Sequence, residues 1–154
     1  MKLSINWLKD YISLNKSVDE IADSLTMIGN EVEEIMTTGD IPGVIVAEIK
    51  EIIPHPNADK LQLTKIYDGK NTLSVVCGAP NIKEGQKIFL ATIGTNLPDP
   101  NNNSYFEIKK SKIRGELSEG MICSEKELGI SDDHEGIMVL PNDYELGTSI
   151  SNYY

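Results

Sequence analysis

The hydrophobic positions in the first forty residues have helical spacing. Ile5, Leu8 and Ile12 recur at intervals of three and four, which predicts a short helix near the amino terminus. A second helix is predicted from the capping-box letters SVDE at 17–20, and Gly29 supplies its end. Its apolar stripe consists of Val18, Ile21, Ala22, Leu25 and Ile28. Two helices this short need a further surface to cover both stripes.

From Gly43 onward the hydrophobic period changes to two, which predicts β-strands. The residues expected to point inward are Ile45, Ala47, Ile49, Leu73 and Val75. The opposite face of the first strand carries Val44, Val46, Glu48 and Lys50. Further strands are predicted at 61–67, 72–77, 88–93, 105–109, 121–124 and 136–140.

The segments between these strands carry turn signals. Asp68-Gly69 predicts a type I′ hairpin turn, in which both central residues have positive φ. Residues 95–104, rich in Pro and Asn, are expected to form a loop too polar to pack. Short strands without long intervening helices predict a five-stranded antiparallel Greek-key barrel, with the helices of 1–40 packed outside it.

The length of 154 residues allows one compact domain, or one domain with a small appendage. No apolar run approaches the roughly 18 residues of a membrane span. Lys9 and Asp10 interrupt the amino terminus before a signal-type apolar region develops. We therefore expect a soluble cytoplasmic protein without a membrane partner.

The net charge of −10 argues against nucleic acid as a partner, but the charge is unevenly distributed. Residues 1–40 carry three lysines against eight acids, and residues 115–154 carry one lysine against nine. Residues 41–114 carry ten basic side chains against seven acids. A phosphate-binding surface is therefore expected in the middle segment if the chain has one.

Three cations alternate along the end of that segment. If the segment is extended, Lys110, Lys112 and Arg114 project from one face, about 6–7 Å apart. Such a row can follow a phosphate backbone, and Arg114, the only arginine in the chain, suits phosphate better than lysine does. The same row can also be a solvated strand edge, where lysines prevent edge-to-edge aggregation. This stretch alone leaves both interpretations open.

No catalytic or metal-binding constellation is predicted. The sequence has no GxSxG, GxxxxGK[ST] or HExxH motif. Adjacent Asp132 and Asp133 are interpreted as a solvated turn, and His55 as a hydrogen-bonded turn residue before Pro56. The cysteines at 77 and 123 lie too far apart, with too few histidines, for a convincing zinc site, so we expect buried reduced thiols.

Several ordered motifs are similar to one family of proteins. They are HPNADKLQL at 55–63, VVCGAPN at 75–81, KIRGELSEGMICSEKELGI at 112–130, and the flanking MKLSINWLKDYI, DEIADSLTMIGNEVE, EGIMVLP and LGTSI. Together they cover nearly the whole chain. The chain resembles the amino-terminal part of the β chain of bacterial phenylalanyl-tRNA synthetases.

The resemblance implies a mostly β fold with appended helices, an α+β arrangement. Residues 1–40 would be the helical part of a split module, residues 41–150 an OB-fold tRNA-binding-type barrel, and residues 151–154 the start of the continuation of a longer chain. HPNAD would be the fixed linker between the first two barrel strands, with Asn57 and Asp59 bonding their own backbone. The loop from Gly94 to Tyr105 departs from the shorter glycine-rich turn of the family, so contacts there do not carry over.

The resemblance also implies the chemistry of a parent enzyme. That enzyme is a class II ligase that uses ATP and Mg²⁺ to join phenylalanine to its tRNA, in an α2β2 assembly with a catalytic α chain. Within residues 1–154 it implies no catalytic site, no metal and no cofactor. The implied candidates for weak tRNA binding are Lys60, Lys110, Lys112, Arg114 and Ser118. A stand-alone tRNA-binding protein and a purely structural protein-interaction barrel remain the alternatives.

Overall fold

The computed structural model describes residues 3–9, 11–35, 41–99 and 104–153. The chain divides into two compact units, Met1–Thr37 and Thr38–Tyr154. The first unit contains the helices α1 (Ile5–Lys9) and α2 (Val18–Met27). Neither has the length and apolar character needed to cross a bilayer, and the structure describes no other α-helix in these ranges.

The capping box predicted for α2 is confirmed. The Ser17 N–H donates to Glu20 Oε2 at 2.8 Å, and the Glu20 N–H donates to Ser17 Oγ at 3.2 Å. The bond from the Ser17 backbone holds the pKa of Glu20 below its ordinary value. Gly29, at φ 94°, ends the helix as predicted, and its N–H donates to the carbonyl of Thr26. No residue of α2 is fully buried, and within its apolar stripe Ile21, Ala22 and Leu25 are half-buried while Val18 and Ile28 are exposed.

The second unit is mostly β. Its main sheet contains β1 (Val44–Pro54), β2 (Gln62–Tyr67), β3 (Thr72–Cys77), β4 (Lys87–Thr92), β9 (Gly120–Ile122) and β10 (Val139–Leu140). Two ribbons are formed by β5 (Asn96–Asp99) with β6 (Ser104–Glu107), and by β7 (Ser111–Ile113) with β8 (Glu116–Ser118). Every pair is antiparallel.

The sheet curls into a nearly closed barrel. Its order is β10-β4-β1-β2-β3, and β9 also pairs with β4. The gap between β3 and the β8–β9 segment is bridged where the Glu119 N–H donates to the Ser74 carbonyl at 2.8 Å. The Val76 N–H also donates to Ser118 Oγ, at 3.2 Å. The prediction of a mostly β, nearly closed antiparallel barrel is thereby confirmed.

The barrel has two hydrophobic clusters, of which the sequence pattern predicted one. Ala47, Ile49 and Val75 are buried as expected, and Ile45 and Leu73 are half-buried against the same cluster.

The second cluster covers the opposite face of β1. Val44 and Val46, which the pattern placed away from the core, are also fully buried, because Phe89 and Leu97 pack on their side. The first half of β1 is therefore covered on both faces.

Two predicted connections are wrong. Asp68 is not in the left-handed region, because Arg114 is the only described residue other than glycine with positive φ. A type I′ turn is therefore absent at 68–71, and Asp68 Oδ1 instead accepts from the N–H groups of Lys70 and Asn71, at 2.7 and 2.6 Å. The predicted loop at 95–104 begins with a strand, β5, in which Leu97 is fully buried. Residues 100–103 of that loop lie outside the described residues.

The last described residues belong to the barrel unit. Ser149 forms an isolated bridge with Ile45, and Ile150 begins a 3-10 turn, Ile150–Asn152, and is fully buried. The Tyr153 ring stacks on that of Tyr144, with centroids 3.7 Å apart. These contacts cover one end of the second cluster.

Candidate nucleic-acid interface

The predicted cationic row lies on the β7–β8 hairpin, here called the basic hairpin (residues 110–118). Its register pairs Lys112 with Leu117 and Ile113 with Glu116, which leaves Arg114 and Gly115 as a two-residue turn. Their φ values are 49° and 94°, the positive values that a type I′ turn requires at both positions. The sequence analysis missed this turn because its signature is Asn-Gly or Asp-Gly, and arginine stands at the first position.

The turn changes the geometry predicted for the row. The chain is extended through Ser111–Ile113, but it reverses at Arg114, so the even spacing of an extended strand ends before the arginine. Lys112 and Arg114 are both exposed, and neither side chain bonds to any other residue that the structure describes. The hairpin therefore presents two free cations, one on its strand and one at its tip.

Lys110 is in a different electrostatic state. Its ammonium lies 2.9 Å from Glu119 Oε1, and the other carboxylate oxygen accepts from the Ser74 N–H at 3.3 Å. The Lys110 bond, followed by the Ser74 bond, holds the pKa of Glu119 below its usual range. The charge of Lys110 is thus partly neutralised by Glu119, which lies between β8 and β9.

A further cation near this pair was missed by the sequence analysis. Lys65 is exposed on β2 and donates to Ser74 Oγ at 2.8 Å, and the N–H of the same serine donates to Glu119. The alternation of β2 contains the signal, since Lys65 lies between the buried Thr64 and Ile66 and must point outward.

The segment between β1 and β2, residues 55–61, is here called the hinge. His55 connects it to the basic hairpin. Its ring is buried, with Nε2 lying 3.1 Å from the carbonyl oxygen of Ile113 and Nδ1 lying 3.1 Å from the Asn57 nitrogen. A carbonyl only accepts and an amide N–H only donates, so both bonds fit one neutral tautomer, with the proton on Nε2. The interpretation of His55 as a hydrogen-bonded turn residue is confirmed.

The hinge is closed by backbone groups and by this ring. The His55 N–H donates to the Leu61 carbonyl, and the Leu61 N–H donates to the Ala58 carbonyl, each at 3.1 Å. The expected turn bonds from the Asn57 and Asp59 side chains are not formed with any described residue. That expectation was wrong, and the side-chain bond that the structure shows within this turn runs instead from the Asn57 N–H to the His55 ring.

The remaining two candidates differ in exposure. Lys60 is exposed on the hinge and makes no side-chain bond to the described residues. Ser118 is only 2% exposed, and its hydroxyl accepts from Val76 and donates to the Gly120 carbonyl at 3.1 Å. The structure therefore places Ser118 under the hairpin, where it joins β8 to β3.

The two cysteines and the Asp132-Asp133 pair lie outside the basic hairpin and the hinge. Cys77 and Cys123 are free and buried as predicted, and burial raises the pKa of both thiols. Asp132 and Asp133 are exposed in a turn, where Asp133 Oδ1 accepts from the Glu135 N–H at 3.0 Å. Across the ranges that the structure describes, no three His, Cys, Asp or Glu side chains are grouped to hold a metal ion.

Comparison with known protein families matches the barrel unit. Residues 44–149 match the family described as "Putative tRNA binding domain", and the chain belongs to that family.

Curated relatives extend the similarity to nearly the whole chain. The phenylalanine–tRNA ligase beta subunit of Geobacter metallireducens is 48% identical over 151 residues, which are 97% of this chain and 18% of the relative. The beta subunits of Syntrophus aciditrophicus and Bacteroides fragilis are each 46% identical, over 99% and 100% of this chain and 18% and 19% of their own lengths. These matches confirm the resemblance predicted from the motifs, and the chain spans less than a fifth of the length of these relatives.

Proposed function

We propose that the barrel unit is a tRNA-binding module of a phenylalanine–tRNA ligase β chain. The matched family and the relatives named as beta subunits of that ligase support this role. The observation that carries it is the basic hairpin, on which Lys112 and Arg114 are exposed and free of partners among the described residues. Exposed, uncompensated cations on a small barrel are what a phosphate backbone binds.

The candidate residues take two roles in this proposal. Lys112 and Arg114 contact phosphate directly, and Lys60 adds a third cation from the hinge that His55 ties to the hairpin. Lys110 contributes less because Glu119 pairs with it. Ser118 supports the hairpin from beneath, through its bond to Val76 on β3.

We assign the barrel to the OB type, with a five-stranded Greek-key path. Its five positions run β1-β2-β3, then the β8–β9 segment, then β4, which pairs again with β1. The bridge between Ser74 and Glu119 supports the step from β3 to β8–β9. In this assignment residues 1–40 are the helical part of a split module, 41–150 are the barrel, and 151–154 begin a continuation.

The parent protein in this proposal is cytoplasmic and joins phenylalanine to tRNA with ATP and Mg²⁺, as an α2β2 assembly with its α chain. The relatives' names support the reaction. Because we assign no catalytic group to residues 1–154, the isolated chain is expected neither to activate phenylalanine nor to hydrolyse mischarged tRNA.

The test is tRNA binding by a variant that carries Lys110→Ala, Lys112→Ala and Arg114→Ala. Its matched control carries Lys50→Ala, Lys70→Ala and Lys83→Ala, which remove the same charge from exposed positions outside the hairpin and hinge. Fluorescence anisotropy with a phenylalanine tRNA transcript should show weak parent binding, of about 10⁻⁴–10⁻⁶ M, and loss of most of it in the hairpin variant. The control should bind nearly as the parent does, with thermal stability unchanged in both.

The rival function is a structural domain whose barrel contacts protein, and the net charge of −10 favours it. Equal tRNA binding by the parent and the hairpin variant across a salt series would decide for the rival. Absence of parent binding even at low salt would decide the same way.

A further inference from the structure

The two residues joined by the His55 ring lie far apart in the sequence. Ile113 is 58 positions from His55, and its carbonyl directly precedes Arg114, the first residue of the hairpin turn. The second ring nitrogen is held by the Asn57 N–H, so the imidazole plane is fixed from the hinge side. The orientation of the peptide entering the turn is therefore set by a side chain of the hinge.

We propose that His55 is a positioning residue for RNA binding, and that its ring holds the hairpin turn in the conformation that presents Arg114. This inference rests on the proposed function. His55 itself is only 6% exposed and has both nitrogens engaged, so it makes no contact with RNA. Its effect on RNA passes through the Ile113 carbonyl.

The conformation of Arg114 makes such support necessary. Arg114 has φ 49°, a left-handed conformation that residues with a Cβ rarely adopt. Backbone in this region persists only where the surrounding structure constrains it. The hairpin register supplies one constraint and the His55 bond supplies another from outside the hairpin.

If His55 served only the stability of the hinge, its effect on tRNA binding would not depend on the Arg114 side chain. The test is therefore a double-mutant cycle. His55→Ala, Arg114→Ala and the double variant are titrated with a phenylalanine tRNA transcript beside the parent. We expect His55→Ala to weaken binding about two- to tenfold, the effect of one neutral hydrogen bond. In the Arg114→Ala background it should have almost no further effect.

Two further variants separate positioning from folding. His134→Ala is the matched control, because His134 is exposed and its ring nitrogen bonds only to the nearby Asp132 carbonyl. It should bind as the parent does. His55→Gln retains an amide donor and acceptor, so it should recover part of the loss, and it replaces His55→Ala in the cycle if that variant does not fold.

Backbone ¹⁵N relaxation, measured without RNA, makes the two proposals separately testable. The amides of residues 112–116 should gain fast mobility in His55→Ala and not in His134→Ala. Additive losses in the cycle with unchanged hairpin relaxation would overturn the positioning role. Unchanged binding by Arg114→Ala would remove Arg114 from the contacts and overturn the positioning role with it. Absence of parent binding even at low salt would overturn the RNA-binding function instead, while the relaxation data would still decide whether His55 orders the turn.

Discussion

At the scale of single residues, the turn of the basic hairpin is not built for maximum stability. A left-handed conformation costs a residue with a Cβ about 1–2 kcal/mol, and asparagine tolerates it better than arginine does. Arg114 occupies this position at φ 49°, followed by Gly115 at φ 94°. Strain at an exposed cation supports the binding role that we propose for this side chain.

Arg114→Asn should therefore separate stability from binding. Asn-Gly is the preferred pair for this turn, so we expect the free energy of unfolding to rise by up to about 1 kcal/mol. Binding of tRNA should fall because the guanidinium is lost. Chemical denaturation and an anisotropy titration on the same sample measure the two effects.

The control for this substitution is Arg114→Lys, which keeps the charge and much of the backbone strain. It should retain part of the binding without the gain in stability. Our interpretation of the turn fails if Arg114→Asn is less stable than the parent. The binding role of Arg114 fails if Arg114→Asn binds tRNA as the parent does.

At this scale the sequence predicted correctly those residues whose type strongly prefers one local conformation or hydrogen bond. Ser17 and Glu20 satisfy each other's backbone donors as their spacing predicts. Arg114 is the opposite case, because arginine has no preference for the left-handed region and tertiary support maintains its conformation. The bond from His55 to Ile113 has no local signal in the sequence at all.

At the scale of elements, Glu119 in the connection from β8 to β9 has two effects. It helps to close the barrel, and it partly neutralises a lysine of the basic hairpin. The Glu119 N–H bonds to Ser74 on β3, while its carboxylate pairs with Lys110. The lowered pKa of Glu119 means that the pair is intact at neutral pH. Its contribution is lost only as the pH falls through that lowered pKa.

Glu119→Gln should consequently strengthen tRNA binding at neutral pH. The substitution frees the Lys110 ammonium and removes a negative charge beside the hairpin, while an amide oxygen can still accept from the Ser74 N–H. We expect a roughly two- to fivefold gain in affinity, as suits one exposed ion pair. Isothermal titration at low salt provides the measurement.

Glu135→Gln is the matched control, since it changes the net charge equally at an exposed position away from the hairpin. It should give a much smaller gain. Equal gains from both substitutions would show that overall charge, and not the freed lysine, controls affinity. A loss of affinity in Glu119→Gln would remove Lys110 from the proposed contacts.

The strands also show what periodicity can and cannot predict. The two-residue period of β1 correctly placed Ala47 and Ile49 in the core. It gave no reason to bury Val44 and Val46, because the cover on their face comes from Phe89 and Leu97, more than forty residues away. The strand β5 was missed for a related reason. Its Pro- and Asn-rich composition is typical of a turn, and the burial of Leu97, which holds it against the core, has no signal in the local sequence.

At the scale of the whole molecule, charge limits any affinity for RNA. The protein has a net charge of −10, and residues 115–154 of the barrel unit carry nine acids against one lysine. Long-range repulsion therefore opposes the local attraction of the basic hairpin. Binding must depend on a few short-range phosphate contacts, which makes the number of contacts measurable.

The salt dependence of tRNA binding should report that number. Lys60, Lys112 and Arg114 are the candidate cations without partners among the described residues, and three phosphate contacts give a slope of log K against log salt of about −3. In the variant Lys110→Ala, Lys112→Ala, Arg114→Ala the slope should shrink by about two and not three, because Lys110 is already paired with Glu119. Adding Glu119→Gln to the parent should steepen the slope by about one, as the freed lysine joins the contacts.

A parent slope near zero would show that binding does not use phosphate contacts. A shrinkage of about three in the triple variant would show that the Lys110–Glu119 pair opens when RNA binds.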